Sequence, residues 1–158
     1  MKNRRFFQEK LEDQIIFFRK TDKPFSVFIL DIDHFKKVND TWGHQTGDDV
    51  LEKLAQILQA FSRKGDIVVA RYGGEEFVLI LPDIDIDESR AIAERLRIAV
   101  AGSTWKTGSI TISIGIGTFA PTDSDSTILK KADQALYASK ENGRNRVTHY
   151  EDIEAKLL

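Results

Sequence analysis

Two adjacent glycines, Gly73 and Gly74, constrain the fold of this chain more than any other feature of the sequence. They are followed by two glutamates, and these four residues separate two strand-like runs at 67–72 and 77–81. Glycine tolerates the positive φ angles that tight turns require, so the pattern predicts a β-hairpin with the glutamates at its tip. The sheet must therefore contain at least one antiparallel pair of strands.

Helical and strand-like patterns alternate along the rest of the sequence, with short connections. The clearest helical pattern runs from Val50 to Phe61, where apolar residues recur at helical spacing after the capping-capable Thr46. Further helices are predicted at 7–18, 87–100 and 126–142, and further strands at 26–32, 109–119 and 146–150. Strands separated by helices favour parallel neighbours, whereas the hairpin is antiparallel. We therefore expect an α/β (α+β) fold with a mixed central β-sheet covered by helices.

Composition limits the chemistry that the chain can perform. Its 158 residues fit a single domain, expected to cover 1–158, and the absence of cysteine excludes disulfides, thiol catalysis and thiolate metal sites. Lys plus Arg total 23 against 25 for Asp plus Glu, a balance that offers no global attraction to nucleic acid or to an anionic membrane. No apolar run could span a bilayer, and residues 1–5 lack the apolar region of a signal peptide. These features predict a cytoplasmic protein without nucleic-acid or membrane contact.

Four carboxylates lie where two predicted strands end. Asp31 and Asp33 close the strand at 26–32, and Glu75 and Glu76 lie at the hairpin tip. Such groups can converge on one hard divalent cation, because Mg²⁺ prefers oxygen ligands and takes only a few of them from protein. The residues alone leave open the alternative that these are ordinary strand-end and turn residues, since acidic residues are common in both places.

Two longer motifs, taken together, resemble a known family. Residues 71–77 read Arg-Tyr-Gly-Gly-Glu-Glu-Phe, similar to the signature of the GGDEF domains in its GGEEF form. Residues 31–40 read Asp-Ile-Asp-His-Phe-Lys-Lys-Val-Asn-Asp, similar to the second motif of that family. The resemblance extends from Asn3 to about Val147, and smaller matches lie at 43–44, 47–48, 113–115, 132–137, 140 and 143–145. It implies a diguanylate cyclase, which condenses two GTP molecules into cyclic di-GMP with release of pyrophosphate, and a fold similar to the class III nucleotidyl cyclases and the polymerase palm.

The resemblance also assigns roles around a divalent metal, Mg²⁺ or Mn²⁺. Asp31 and Glu75 match the metal-binding carboxylates, and Ile32 matches a position that contributes its backbone carbonyl. Glu76 matches a carboxylate tied either to the metal centre or to activation of the 3′-hydroxyl, and the sequence does not choose between these roles. Lys36 matches a phosphate-contacting position and completes the implied catalytic set of Asp31, Lys36, Glu75 and Glu76.

The remaining implied residues would bind the GTP substrate. Asn39 and Asp48 match the positions that recognise guanine, whose polar edge suits a carboxamide and a carboxylate. His34 and Leu51 would flank the base, and the bare Gly73 and Gly74 would let the nucleotide lie against the turn. The implied substrate-binding set consists of His34, Phe35, Asn39, Asp48, Leu51, Gly73, Gly74, Lys140 and Arg144, with Lys140 and Arg144 on the phosphates.

Two functional alternatives belong to other classes. A catalytically idle domain could bind GTP or cyclic di-GMP as a receptor or scaffold, although the intact signature and metal positions argue against this alternative. A related nucleotidyl cyclase or polymerase-like enzyme is disfavoured by the guanine-recognising pair, Asn39 and Asp48. Each site would hold one GTP while the product needs two, so the resemblance implies a transient homodimer.

The sequence departs from the family pattern at two places. The usual Asp-x-Leu-Thr-Gly-Leu has no counterpart ahead of residues 3–5, so we expect the N-terminal end of the usual domain, with an acidic partner for Arg71, to be absent. Many members also bind cyclic di-GMP as an inhibitor through an Arg-x-x-Asp motif five residues ahead of the signature. Here Arg63 and Asp66 form the motif, but six residues separate it from Gly73. A strict count removes this product-inhibition site, whereas a β-bulge that absorbs one residue would restore it.

Overall fold

A mixed β-sheet organises the fold. The computed structural model describes residues 1–62 and 66–157, and within these residues the sheet has five strands in the order β2-β3-β1-β4-β5. The elements in chain order are α1 (Arg4–Thr21), β1 (Phe25–Ile32), α2 (Phe35–Trp42), α3 (His44–Phe61), β2 (Val68–Gly73), β3 (Glu76–Pro82), α4 (Ile86–Ala101), β4 (Ile112–Thr118), α5 (Asp125–Glu141), β5 (Val147–His149) and α6 (Tyr150–Leu157). The predicted mixed sheet covered by helices is therefore confirmed.

Strand directions differ from the expectation that helix-separated strands are parallel neighbours. β1 is the central strand and pairs antiparallel with both β3 and β4, β2 and β3 form the predicted antiparallel hairpin, and only β4 and β5 pair in parallel. The expectation is wrong for β1, and the topology gives the reason. α4 does join two strands of the same direction, β3 and β4, but β1 lies between them in the sheet.

The core consists of two apolar layers, one on each face of the sheet. β1 is buried along its whole length, and its side chains alternate between the layers, as the two-residue period of a strand requires. Phe28 and Leu30 pack in the layer that includes α3 and α4, and Val27 and Ile29 pack in the layer that includes α1 and α5. Asp31 continues the second set, so its side chain lies on the α5 side of the sheet.

Two helices and several boundaries differ from the sequence prediction. The short helices α2 and α6 were not predicted, and α3 begins at His44 after Gly43 rather than behind a Thr46 cap. α5 begins after Ser124, which forms a reciprocal capping box with Thr127. No helix in the described part of the chain is long and apolar enough to cross a membrane.

Candidate active site

Asp31 and Glu76 lie directly opposite each other where β1 meets β3. They are register partners in this antiparallel pair, an arrangement that places side chains on the same face with Cβ atoms about 5 Å apart. Asp31 is 7% exposed and Glu76 is half-buried. Glu75 belongs to the turn between β2 and β3, beside this pair. The structure thus brings together the strand-end and hairpin-tip acids Asp31, Glu75 and Glu76.

The second aspartate of this strand end, Asp33, has a different environment. Its carboxylate is 5% exposed and accepts hydrogen bonds from Thr111 Oγ1 (2.7 Å), Ser113 Oγ (2.6 Å) and the Asn145 backbone N–H (2.9 Å). Asp33 therefore fastens β4 and the loop after α5 to the end of β1. The sequence did not indicate these partners, because they are more than 70 residues away along the chain.

Asp31 has one satisfied and one orphaned oxygen. Lys140 Nζ on α5 donates to Asp31 Oδ2 at 2.5 Å, while Oδ1 is buried without a hydrogen-bond partner. Burial raises the pKa of Asp31 above its ordinary value, against the opposing effect of Lys140. Burial also raises the pKa of Glu76, and the charge of Asp31 is the next largest cause. An orphaned carboxylate oxygen beside a second desolvated carboxylate is an environment that a divalent cation fits.

The donor set of this chain at that point is small. Asp31 and Glu75 line the same cleft, together with Ile32, whose implied contribution is a backbone carbonyl. Among the described residues, no group of three or more His, Cys, Asp or Glu side chains could hold a metal ion. Oxygen donors of this kind suit Mg²⁺ or Mn²⁺, which commonly complete their coordination with water and substrate phosphate.

A cleft of about 550 Å³ opens over these carboxylates. Four cations, Lys36, Lys37, Lys140 and Arg144, share its lining with the acids, so it suits a polyanion together with a divalent cation. The backbone of Arg144 is left-handed (φ 64°), and the hydrogen bond from the next residue, Asn145, to Asp33 holds this loop. The full lining comprises Asp31, Ile32, His34, Phe35, Lys36, Lys37, Asp40, Glu75, Lys140 and Arg144, of which Lys37 and Asp40 were not among the predicted site residues.

A second, smaller cavity of about 190 Å³ lies on the α3 side of the hairpin. Asp48 and Leu51 line it together with Arg71 and Phe77, so the structure unites two of the residues implied for the base. His34, expected to flank the base with Leu51, lines the larger cleft. Asp48 and Leu51, implied for the base, therefore line one cavity, and the cations implied for the phosphates line the other.

Asn39 lies on α2. Its side chain is half-buried, and its carboxamide is packed against Gly47 in the first turn of α3. Asp48 is the next residue along α3, so the guanine-recognising carboxamide and carboxylate predicted from the sequence lie on adjoining turns of two helices.

The two signature glycines have different structural reasons. Gly74 is in the left-handed region (φ 49°), and its carbonyl accepts a hydrogen bond from Arg71 Nε at 2.9 Å, which closes the turn. Gly73 does not have a positive φ, and a Cβ built on it would meet no atom within 4 Å. The backbone conformation explains the glycine at position 74 but not the one at position 73.

The predicted product-inhibition site falls partly outside the described residues. Arg63 lies outside the described residues, and Asp66 is an exposed turn residue two positions before β2 begins at Val68. That site stays a prediction.

Comparison with known proteins identifies the family. The family model described as "Diguanylate cyclase, GGDEF domain" matches residues 1–146. The chain belongs to the GGDEF family. The recognition of the GGDEF family from the two motifs is therefore confirmed.

Relatives and solved structures agree with this assignment. Diguanylate cyclase A of Treponema denticola is 44% identical over 128 residues, which cover 78% of this chain and 34% of that protein. The GGDEF domain of DgcB from Caulobacter crescentus, solved in complex with c-di-GMP, is 38% identical with a TM-score of 0.90 and covers 94% of this chain and 91% of that one. The active GGEEF domain of a diguanylate cyclase from Vibrio cholerae gives 32% identity and a TM-score of 0.89, with coverages of 94% and 97%.

The match to whole proteins is partial. This GGDEF domain spans about a third of the length of the curated relatives it matches (32–34%). The comparisons establish the family and the fold. The activity must be argued from the residues of the site.

Proposed function

We propose that this chain is a diguanylate cyclase that converts two GTP molecules into cyclic di-GMP and two pyrophosphates. The observation that carries the proposal is the pair of facing carboxylates, buried Asp31 with its orphaned oxygen and half-buried Glu76, beside a cleft that Asp31 lines together with several cations. Carboxylates that face each other across two strands repel, and such a pair is typical of a site that holds a cation or moves a proton.

The GTP triphosphate would lie in the larger cleft. Lys36, Lys140 and Arg144 would contact its oxygens, and a Mg²⁺ or Mn²⁺ ion would be held by Asp31, Glu75 and the Ile32 carbonyl. The metal would supply Lewis-acid stabilisation of the charge that develops on the transferring phosphoryl group. The guanine would lie toward the smaller cavity, near Asn39, Asp48 and Leu51. The exposed Gly73 and Gly74 leave space for the nucleotide against the turn, which accounts for the glycine that the fold does not require.

The reaction needs a proton acceptor and an oriented nucleophile. The 3′-oxygen of one GTP attacks the α-phosphorus of the other, the bond from that phosphorus to the bridging β-phosphate oxygen breaks, and pyrophosphate leaves. The hydroxyl proton must be removed in this step. Glu76, whose raised pKa makes it a stronger base than an exposed glutamate, is available as that acceptor or as a further metal ligand. Two such transfers close the ring.

Assembly of two protomers follows from this stoichiometry. Each site holds one GTP, so two chains must face each other in a two-fold, self-complementary encounter. In this encounter the two signature turns, each formed by residues 73–76 between β2 and β3, lie against each other. We expect a transient homodimer and therefore a rate per protomer that rises with protein concentration. Product formation measured over a thousandfold dilution series checks this, and a flat rate per protomer from a protein that stays monomeric would contradict it.

Removal of a metal ligand tests the chemistry. Asp31→Ala and Glu75→Ala should each lower cyclic di-GMP formation by at least about 100-fold, because transition-state charge stabilisation is lost while the apolar core is untouched. The matched control is Glu9→Ala, an exposed carboxylate on α1. Product is identified by chromatography and mass spectrometry with GTP and Mg²⁺ or Mn²⁺, and thermal denaturation monitors folding. Full activity in either site variant would refute the assignment. A wild type that binds GTP or cyclic di-GMP but forms no product would establish the idle receptor instead.

A further inference from the structure

We propose that Gly47 is a positioning residue for guanine recognition, because the missing side chain at this position is the space that the Asn39 carboxamide occupies. The inference rests on the proposed function, in which Asn39 recognises the base. It adds a residue that would contact neither substrate nor metal and would act only by placing Asn39.

The geometry around Gly47 is unusually tight. A Cβ built on Gly47 would lie 1.8 Å from Asn39 Oδ1, 3.0 Å from Asn39 Cγ and 3.3 Å from Phe35 Cζ. Real Cβ atoms essentially never approach another heavy atom within 3.0 Å, so the carboxamide oxygen would have to move by more than 1 Å. All three atoms belong to two side chains of α2, Phe35 and Asn39, that the family resemblance implies for substrate binding.

Apart from the Asn39 contact and the milder 3.3 Å approach to Phe35 Cζ, the fold gives no reason for a glycine there. Gly47 lies in the first turn of α3, is buried and is not among the positive-φ residues, so its backbone conformation suits any amino acid. Glycine inside a helix costs about 0.5–1 kcal/mol relative to alanine. Alanine at position 47 would therefore stabilise the helix by about that amount if the Asn39 carboxamide did not have to move.

Local hydrogen bonds hold the backbones on both sides of this contact. Gly43 N–H donates to the Asn39 carbonyl at 2.9 Å, and Gly47 N–H donates to the Gly43 carbonyl at 3.1 Å. With the two backbones tied through Gly43, the flexible end of the Asn39 side chain is the part that yields to a new Cβ. Substitution at position 47 should therefore displace the carboxamide and leave the fold intact.

A double-mutant cycle tests this reasoning. Wild type, Gly47→Ala, Asn39→Ala and the double variant are compared in kcat and KM for GTP and in the GTP-to-ITP selectivity. Gly47→Ala should reproduce the Asn39→Ala profile, with KM for GTP raised by roughly 10-fold, as the loss of one hydrogen-bonding contact implies. The double variant should be no worse than Asn39→Ala alone. Thr46→Ala, one residue earlier in α3, is the control and should behave as wild type.

Thermal unfolding of the unliganded variants tests the steric contact between positions 47 and 39 independently of enzyme activity. Gly47→Ala should raise the melting temperature more in the Asn39→Ala background than in the wild type, because the helix gains alanine and only the milder 3.3 Å contact with Phe35 Cζ remains to be relieved. Equal shifts in the two backgrounds would overturn the steric argument. Asn39-dependent GTP binding that Gly47→Ala leaves unchanged would overturn the positioning role. A wild type that binds no GTP refutes the proposed function instead, and the unfolding cycle still decides whether the two residues are coupled.

Discussion

The backbone of α5 packs directly against Gly115 on β4, so alanine at this position should push the helix away from the sheet. A Cβ built on Gly115 would lie 2.1 Å from the Leu136 backbone nitrogen, 2.3 Å from the Ala132 carbonyl oxygen and 2.6 Å from Leu136 Cα. All three atoms belong to the helix backbone, so no side-chain rotation can relieve the contact. The helix must retreat by more than 1 Å before ordinary van der Waals contact is restored.

The expected cost follows from this displacement. Overpacking a close-packed core costs about 1–3 kcal/mol and occasionally more, and here a whole helix rather than one side chain must move. We expect a loss of about 3–4 kcal/mol in the free energy of unfolding, a large share of the 5–15 kcal/mol that stabilises a typical domain. The same shift would carry Lys140, one turn beyond Leu136, away from Asp31. A misplacement of about 1 Å in an active site can cost about 100-fold in rate.

Urea unfolding of the Gly115→Ala and Gly117→Ala variants measures the effect against a matched control on the same strand. At Gly117 a Cβ would meet Ile128 Cδ1 at 3.1 Å and helix backbone atoms at 3.3 Å, a contact that small adjustments relieve. Gly117→Ala should therefore cost about 1 kcal/mol. The reasoning is refuted if Gly115→Ala proves no less stable than Gly117→Ala.

Two further substitutions probe the signature turn. Burial and the charge of Asp31 raise the pKa of Glu76 above its ordinary value of 4.5. At a pH between the pKa values of the unfolded and folded states, the native protein holds a proton that the unfolded chain has released. The wild type therefore loses stability as pH rises through the pKa of the folded state. Glu76→Gln should therefore stabilise the protein increasingly from pH 4.5 toward neutrality in urea titrations, and a pH-independent effect would contradict this account. Gly73→Ala should change the free energy of unfolding by less than about 0.5 kcal/mol, because its Cβ enters open space. The same Cβ would occupy the place of the nucleotide, so cyclase activity should fall at least about 10-fold. Full activity would show that the nucleotide does not lie against this turn.

Features that depend on short stretches of sequence were predictable. The hairpin between β2 and β3 follows from two glycines flanked by apolar runs, since turn chemistry is local. The helix around Val50 to Phe61 follows from its apolar spacing. Strand order was not predictable in the same way, because no local pattern records that β1 inserts between β3 and β4.

The site shows the same division. That Asp31, Glu75 and Glu76 converge could be expected from a strand end and a hairpin tip that meet at one edge of the sheet. The structural role of Asp33 could not be predicted, because its hydroxyl partners Thr111 and Ser113 are 78 and 80 residues away along the sequence. The separation of His34 from Leu51 likewise depends on α2, a short helix with only Val38 buried, which gives a weak pattern in the sequence.

The register of β1 against β3 explains how repelling carboxylates stay together. Asp31 is the seventh residue of a strand whose other residues are buried on both faces, so moving it away from Glu76 would require a register slip that turns every core side chain of β1 to the wrong layer. That slip costs far more than the repulsion between two partly buried charges, which Lys140 already offsets in part. The core therefore holds the site acids in a geometry that they would not adopt by themselves, and a divalent cation bound between them would relieve the repulsion that remains.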